Sequence, residues 1–282
     1  MCDSCGCNIT DGNRHLLAPP AKGLRFGSTP EKILGGLLEQ NDHQAARNRE
    51  RLDRHGVLTI NLMSSPGSGK TSLLEATIGT LDLDARVGVI EGDLETENDA
   101  DRIRALGIPV HQITTGTACH LDAHLLQHGL DQLDLNGIDI LFVENVGNLV
   151  CPASFDLGHH RNVTLLSVTE GDDKPAKYPV MFRAADLMLI SKTDLLPYLT
   201  DFSVERAEHS LHALASRAPT IELSAKTGVG MDAWATWLMT ELKRYRDLRK
   251  DGKTLVPKVQ GDGVRRHRSG TEVRFVPVNR PV

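Results

Sequence analysis

The chain has 282 residues, 37 Asp plus Glu against 32 Lys plus Arg, and 40% hydrophobic residues, enough to bury one large core. Its apolar runs, such as Ile140 to Val143, are strand-sized, which excludes a membrane-spanning helix, and a net charge of -5 argues against a nucleic-acid partner. Five cysteines, behind a start (Met1-Cys2-Asp3-Ser4-Cys5) with neither basic region nor apolar core, point to a reducing cytoplasm and to thiols serving metal or redox chemistry.

Residues 1–29 mix three cysteines with Gly and the Pro19-Pro20 pair and show no apolar periodicity, so they are expected to form a flexible metal-binding tail. Cys2, Cys5 and Cys7 fall in a Cys-x-x-Cys-Gly-Cys cluster that, with the terminal amine or Asp3, can wrap one soft or borderline metal. A near-planar set of N and S ligands suits Ni²⁺; a tetrahedral one suits Zn²⁺. A redox pair is the alternative, but it belongs at the start of a helix in a folded unit.

From Pro30 to about His55 the apolar residues Ile33, Leu34, Leu37 and Leu38 take helical spacing, capped by Thr29, which predicts one or two helices. Apolar runs at 57–63, 87–90, 138–143, 163–168, 187–190 and 220–223 then alternate with helical stretches at 70–81, 97–106, 118–133, 203–216 and 231–248. Strands apolar on both faces, alternating with helices, make an α/β domain with a mostly parallel sheet covered by helices, spanning 30–248. After Arg249 apolar density drops. Residues 249–282 are expected to be a basic C-terminal extension outside the core, because residues 243–282 hold twelve Lys or Arg against Asp247, Asp251, Asp262 and Glu272.

Directly after the first strand comes Ser64-Ser65-Pro66-Gly67-Ser68-Gly69-Lys70-Thr71, opening a helix at Ser72. In such a loop the backbone N–H groups of Pro66 to Ser72 turn toward phosphate oxygens, proline excepted. Lys70 reaches the terminal phosphates and the Thr71 hydroxyl binds Mg²⁺. Ser64 stands where the strict pattern has glycine. Ser191-Lys192-Thr193-Asp194 and Ser224-Ala225-Lys226, each behind a strand, resemble the NKxD and SAK loops of GTPases, with Ser191 in place of asparagine. In that resemblance Asp194 accepts from guanine and Lys192 lies over the base, and a carboxylate left unpaired by adenine rejects ATP. Asp93 closes Glu91-Gly92-Asp93 and is placed to touch Mg²⁺. Glu144-Asn145-Val146-Gly147 looks like a DxxG switch with Glu for Asp, whose Gly147 N–H can meet a γ-phosphate. Lys70, Thr71, Asp93, Glu144 and Gly147 are thus the expected carriers of phosphoryl transfer.

Cys119-His120, opening a helical segment, and Cys151, just after the Glu144 switch, form a second candidate metal site, with a buried structural role as the alternative for each. His159-His160 reads as a solvated pair or an accessory donor pair.

Together these strings, with Cys119-His120-Leu121-Asp122, the run from Glu144 through Cys151-Pro152-Ala153-Ser154-Phe155-Asp156, and Thr169-Glu170-Gly171-Asp172-Asp173-Lys174-Pro175, resemble the HypB family, GTPases of nickel incorporation into [NiFe] hydrogenases. The resemblance runs from about residue 30 to 245. It implies a P-loop NTPase fold of the SIMIBI GTPase type, slow Mg²⁺-dependent hydrolysis of GTP to GDP, and a homodimer formed on GTP binding. It further implies a nickel or zinc site at Cys119, His120 and Cys151 linked to the switch, and delivery of Ni²⁺ with a HypA-type chaperone to the hydrogenase large-subunit precursor. A urease nickel GTPase, a metal store with vestigial hydrolysis, and an ATP-dependent kinase are the rivals.

Overall fold

The structure is a computed structural model and describes residues 30–80, 84–93, 98–116, 118–214 and 216–257. The tail cysteines Cys2, Cys5 and Cys7 and the chain beyond Pro257 lie outside the described residues.

Seven strands form one sheet: β1 (Leu58–Ser64), β2 (Val87–Asp93), β3 (Val110–Thr114), β4 (Ile140–Glu144), β5 (Arg161–Ser167), β6 (Leu187–Ser191) and β7 (Thr220–Glu222). They lie in the order β3-β2-β4-β1-β5-β6-β7, and every pairing is parallel. The helices are α1 (Pro30–His55), α2 (Lys70–Thr80), α3 (Asn98–Arg104), α4 (Ala123–Asp131), α5 (Lys174–Lys177), α6 (Pro179–Ala184), α7 (Val204–Ala213) and α8 (Met231–Lys250).

The period of two in a strand explains why the central runs are apolar throughout. Val89, Ile140 and Phe142 join a core with Leu73 and Leu74 of α2 and Trp234, Leu238 and Leu242 of α8. Their neighbours Ile90, Leu141 and Val143 point the other way, into a core with Leu52 of α1 and Leu125, Leu126 and Leu130 of α4. A third cluster joins Leu166, Met188 and Ile190 to Phe182 of α6 and Leu211 of α7.

Four expectations are corrected. β3 gives no continuous apolar run because it is an edge strand in which only Ile113 is buried. The helix expected from 118 begins at Ala123, capped by Asp122, so Cys119 and His120 sit in the irregular segment before it. The expected boundary after 248 falls too early: Leu255 is buried in the α8 core, Thr254 Oγ1 donates to Asp53 Oδ1 (2.8 Å) and Arg161 Nη1 donates to the Val256 carbonyl (3.0 Å). Finally, His159 and His160 are buried. His160 Nδ1 accepts from the Thr59 N–H (2.8 Å) and Nε2 faces Asp53 Oδ1 (3.2 Å), so both ring nitrogens of His160 are engaged within the fold.

Candidate functional site

Parallel strands send their C-terminal ends to one edge, where loops can converge on a ligand. Here that edge carries a cleft of about 400 Å³ lined by Pro66, Gly67, Gly69, Lys70, Thr71 and Ser72, by Glu91, Gly92 and Asp93 at the end of β2, by the loop from Glu144 to Gly147, and by Lys192. Every residue singled out from the phosphate loop except Ser68 thus lines one cavity; Ser68 is buried.

Lys70 Nζ donates to Ser64 Oγ (3.1 Å), so the serine standing in for glycine offers a rest for the lysine. Gly147 touches the loop directly: a Cβ there would come within 2.8 Å of Pro66 Cα, so only glycine fits. Thr71 Oγ1 donates to Glu144 Oε1 (2.9 Å), joining the phosphate loop to the end of β4. Burial, outweighing the nearby Lys70, lifts the Glu144 carboxyl to about 7. Glu91, a residue to which the sequence attached no role, is pushed up to about 8, by burial first and then by the Glu144 charge. The second carboxylate oxygens of Glu91 and Glu144 are buried without a hydrogen-bond partner. Orphaned carboxylate oxygens beside a threonine hydroxyl, with Asp93 at the same cleft, are the hard donor set that Mg²⁺ takes.

Ser191, in place of asparagine, donates from Oγ to the Ser68 carbonyl (2.7 Å) and so pins the end of β6 to the phosphate loop. Lys192 adopts the left-handed conformation (φ 61°), and its Nζ donates to the Gly67 carbonyl (2.6 Å). Asp194 Oδ1 accepts from Ser224 Oγ (2.7 Å), which links the two loops singled out for the base. Ala225 packs against the core, and Lys226 is exposed. Glu170, unassigned by the sequence although its string was noted, accepts from Ser68 Oγ (2.5 Å) and buttresses the phosphate loop from behind.

Cys119, His120 and Cys151 come together, their ligand atoms all within 4.8 Å of one another. Cys119 Sγ lies 3.6 Å from His120 Nδ1, and the His120 ring stacks on Phe155 at 4.0 Å. Hydrogen bonds from Cys119 first and then from His120 hold the Cys151 thiol well below the usual thiol range, the direction that favours metal ligation. Two thiols and an imidazole suit a borderline metal such as Ni²⁺ or Zn²⁺ and leave a coordination position open.

Both ligand-bearing segments are held by α1. Asn41 Nδ2 donates to the Asp156 carbonyl (2.9 Å), and Asn41 Oδ1 accepts from the Ala123 N–H (2.9 Å). Asn48 Nδ2 reaches the Ala123 (2.7 Å) and Leu157 (3.0 Å) carbonyls, and Arg49 pairs with the buried Asp156 (2.8 Å).

A family model described as CobW/HypB/UreG, nucleotide-binding domain, matches residues 58–222. The hydrogenase maturation factor HypB of Azotobacter vinelandii is 50% identical over 237 residues, 78% of each chain. The chain belongs to the HypB family. The HypB of Escherichia coli K12 is 52% identical over 205 residues, 73% of this chain and 70% of that one. Among solved structures, HypB from Helicobacter pylori in complex with nickel matches with a TM-score of 0.70 at 42% identity, over 73% of this HypB-family chain and 96% of that chain. Among the described residues no helix is long and apolar enough to cross a membrane.

Proposed function

We propose that this chain is a GTP-hydrolysing nickel metallochaperone of the cytoplasm, in which the metal affinity of Cys119, His120 and Cys151 follows the nucleotide state. One observation carries the proposal: Cys151 lies on the same loop as Gly147, which abuts Pro66, and as Glu144, which accepts from Thr71. A loop ordered by a γ-phosphate therefore bears a metal ligand.

Nucleotide binding rests on the backbone of the phosphate loop, on Lys70 and on Lys192, with Asp194, Ser224, Ala225 and Lys226 receiving guanine. Thr71 and Asp93 would hold Mg²⁺, which would supply charge neutralisation at the transferring phosphoryl group. Lys70 stabilises the same charge and Gly147 orients its loop against it, so that catalysis is mostly positioning and electrostatics. After hydrolysis the loop relaxes and Cys151 shifts against Cys119 and His120.

Nickel is cargo here. The Cys2, Cys5, Cys7 tail is proposed as a separate, tighter nickel site, the three-ligand site as the one that releases, with Zn²⁺ as its competitor. Homodimerisation on GTP binding, a HypA-type chaperone and the hydrogenase large-subunit precursor complete the proposed route. The name HypB, hydrogenase maturation factor, borne by the curated relatives supports that destination.

The test is a Ni²⁺ titration of the full chain and of a Cys2, Cys5, Cys7 to Ala variant, each loaded with GDP or a non-hydrolysable GTP analogue. The variant should keep a weaker site whose affinity differs between the nucleotides. Equal affinity in both states would defeat nucleotide gating of the metal.

A further inference from the structure

Cys151 sits on the nucleotide-facing loop, but Cys119 and His120 come from a different segment, the one between β3 and α4. If only Cys151 answered the nucleotide, two of the three ligands would be a fixed wall. Two contacts of Leu121, the residue after His120, indicate otherwise.

The first is polar. The Leu121 N–H donates to Asn145 Oδ1 (3.1 Å), which also accepts from the Val146 N–H (3.0 Å). Asn145 is 1% exposed and stands between Glu144, bonded to Thr71, and Gly147, packed on Pro66. Its Nδ2 donates to Asn61 Oδ1 (3.1 Å), and Asn61 Nδ2 donates to Asn162 Oδ1 (3.0 Å). A row of buried amides across β4, β1 and β5 thus fixes the orientation of the Asn145 side chain, since a flipped amide would oppose donor to donor.

The second contact is apolar. Leu121 is fully buried over Gly92, so closely that a Cβ there would lie 2.7 to 2.9 Å from three of its carbons. Gly92 separates Glu91 from Asp93 in the lining of the cleft. Leu121 therefore touches the ends of both strands that face the terminal phosphates: β2 by packing, β4 by hydrogen bond.

We infer that Asn145 and Leu121 are positioning residues that tie the Cys119-His120 arm to the nucleotide loops. The inference rests on the proposed nucleotide-gated metal site and deepens it. When phosphate and Mg²⁺ reorder the Glu144 to Gly147 loop, the Asn145 amide draws or releases the Leu121 N–H, and the Gly92 contact changes the seat beneath the Leu121 side chain. His120 is displaced through its neighbour, so both arms of the site respond to one event. Coupling energy between two sites needs such a shared element with two arrangements.

The test measures amide hydrogen exchange across residues 118–122 in the full chain without nickel, loaded with GDP or with a non-hydrolysable GTP analogue. Exchange is expected to differ at least five-fold between the nucleotides, and the difference to vanish in Asn145→Ala, whose affinity for both is measured with fluorescent nucleotides because Asn145 lines the cleft. Should Asn145→Ala fail to fold or lose either nucleotide, Leu121→Ala, outside the cleft lining, is measured in its place, with Leu121→Met expected to restore the difference. Equal exchange in the parent chain, or a difference that survives Asn145→Ala, overturns the link. The nickel titration separates this from the proposed function: nucleotide-dependent exchange with nucleotide-independent nickel affinity defeats the gating and leaves the link standing. Gating without an exchange difference assigns the response to Cys151 alone.

Discussion

At the scale of single residues, two side chains decide chemistry that their types alone leave open. Asp194 is held by Ser224 Oγ, so its carboxylate stays fixed rather than sampling rotamers in solvent. A fixed carboxylate that pairs with guanine and goes unpaired with adenine separates the two bases by a factor of about 10⁴ or more. Asp194→Ala should therefore bring GTP and ATP affinities within about ten-fold of each other, as measured by competition against a fluorescent nucleotide. His159 carries a stability prediction. Burial first, and then Arg49, holds its ring down to about 4 against the opposing pull of Asp156. The folded value lies below the unfolded one of about 6.5. The neutral ring's contribution is therefore complete above pH 6.5 and is lost as pH falls from 6.5 toward 4, by about 3 kcal/mol. Urea unfolding at pH 7 and pH 4.5 should show that loss in the parent chain and a smaller one in His159→Phe.

At the scale of elements, α1 acts as a strap. Its buried Asn41, Asn48 and Arg49 bind the segments that follow Cys119-His120 and Cys151, and Gly158 is what lets it lie so close: a Cβ there would come within 2.3 Å of the Ala45 carbonyl. Arg49→Ala would leave the Asp156 carboxylate buried without a counter-charge, at a cost of about 3–5 kcal/mol. Asp156 lies one residue from the Phe155 ring that stacks on His120, so the same variant should weaken Ni²⁺ binding at the three-ligand site in a Cys2, Cys5, Cys7 to Ala background. Thermal unfolding and a nickel titration check the two parts. The helical spacing of 30–55 is visible in the sequence, but the polar residues that do the strapping look like an ordinary solvated face. Their partners are main-chain groups and the Asp156 carboxylate, more than seventy residues away in the chain.

At the scale of the whole molecule, the basic composition after Arg249 predicts an extension outside the core, whereas residues to Pro257 pack back onto the domain. Leu255 is 4% exposed among the side chains that surround α8. Leu255→Ala in the full chain should cost about 2–4 kcal/mol in denaturant unfolding, against less than about 0.5 kcal/mol for a solvated position.

The sequence by itself determined the phosphate loop, the Ser191 to Asp194 and Ser224 to Lys226 loops behind their strands, and the parallel sheet. Each is local: a motif continuous in the chain, or an apolar run whose period declares its own burial on both faces. The polar edge strand β3 escaped because half-burial leaves no such run. The sequence proposed that Cys119, His120 and Cys151 share one site, and tertiary structure brings their ligand atoms within 4.8 Å; it alone decided that Glu91 and Glu144 face each other's charge and that His159 and His160 are buried rather than solvated. These facts depend on a strand order in which β2, β4 and β1 are neighbours although the chain visits them far apart. No local pattern encodes that adjacency; it follows from packing the helices on both faces of the sheet.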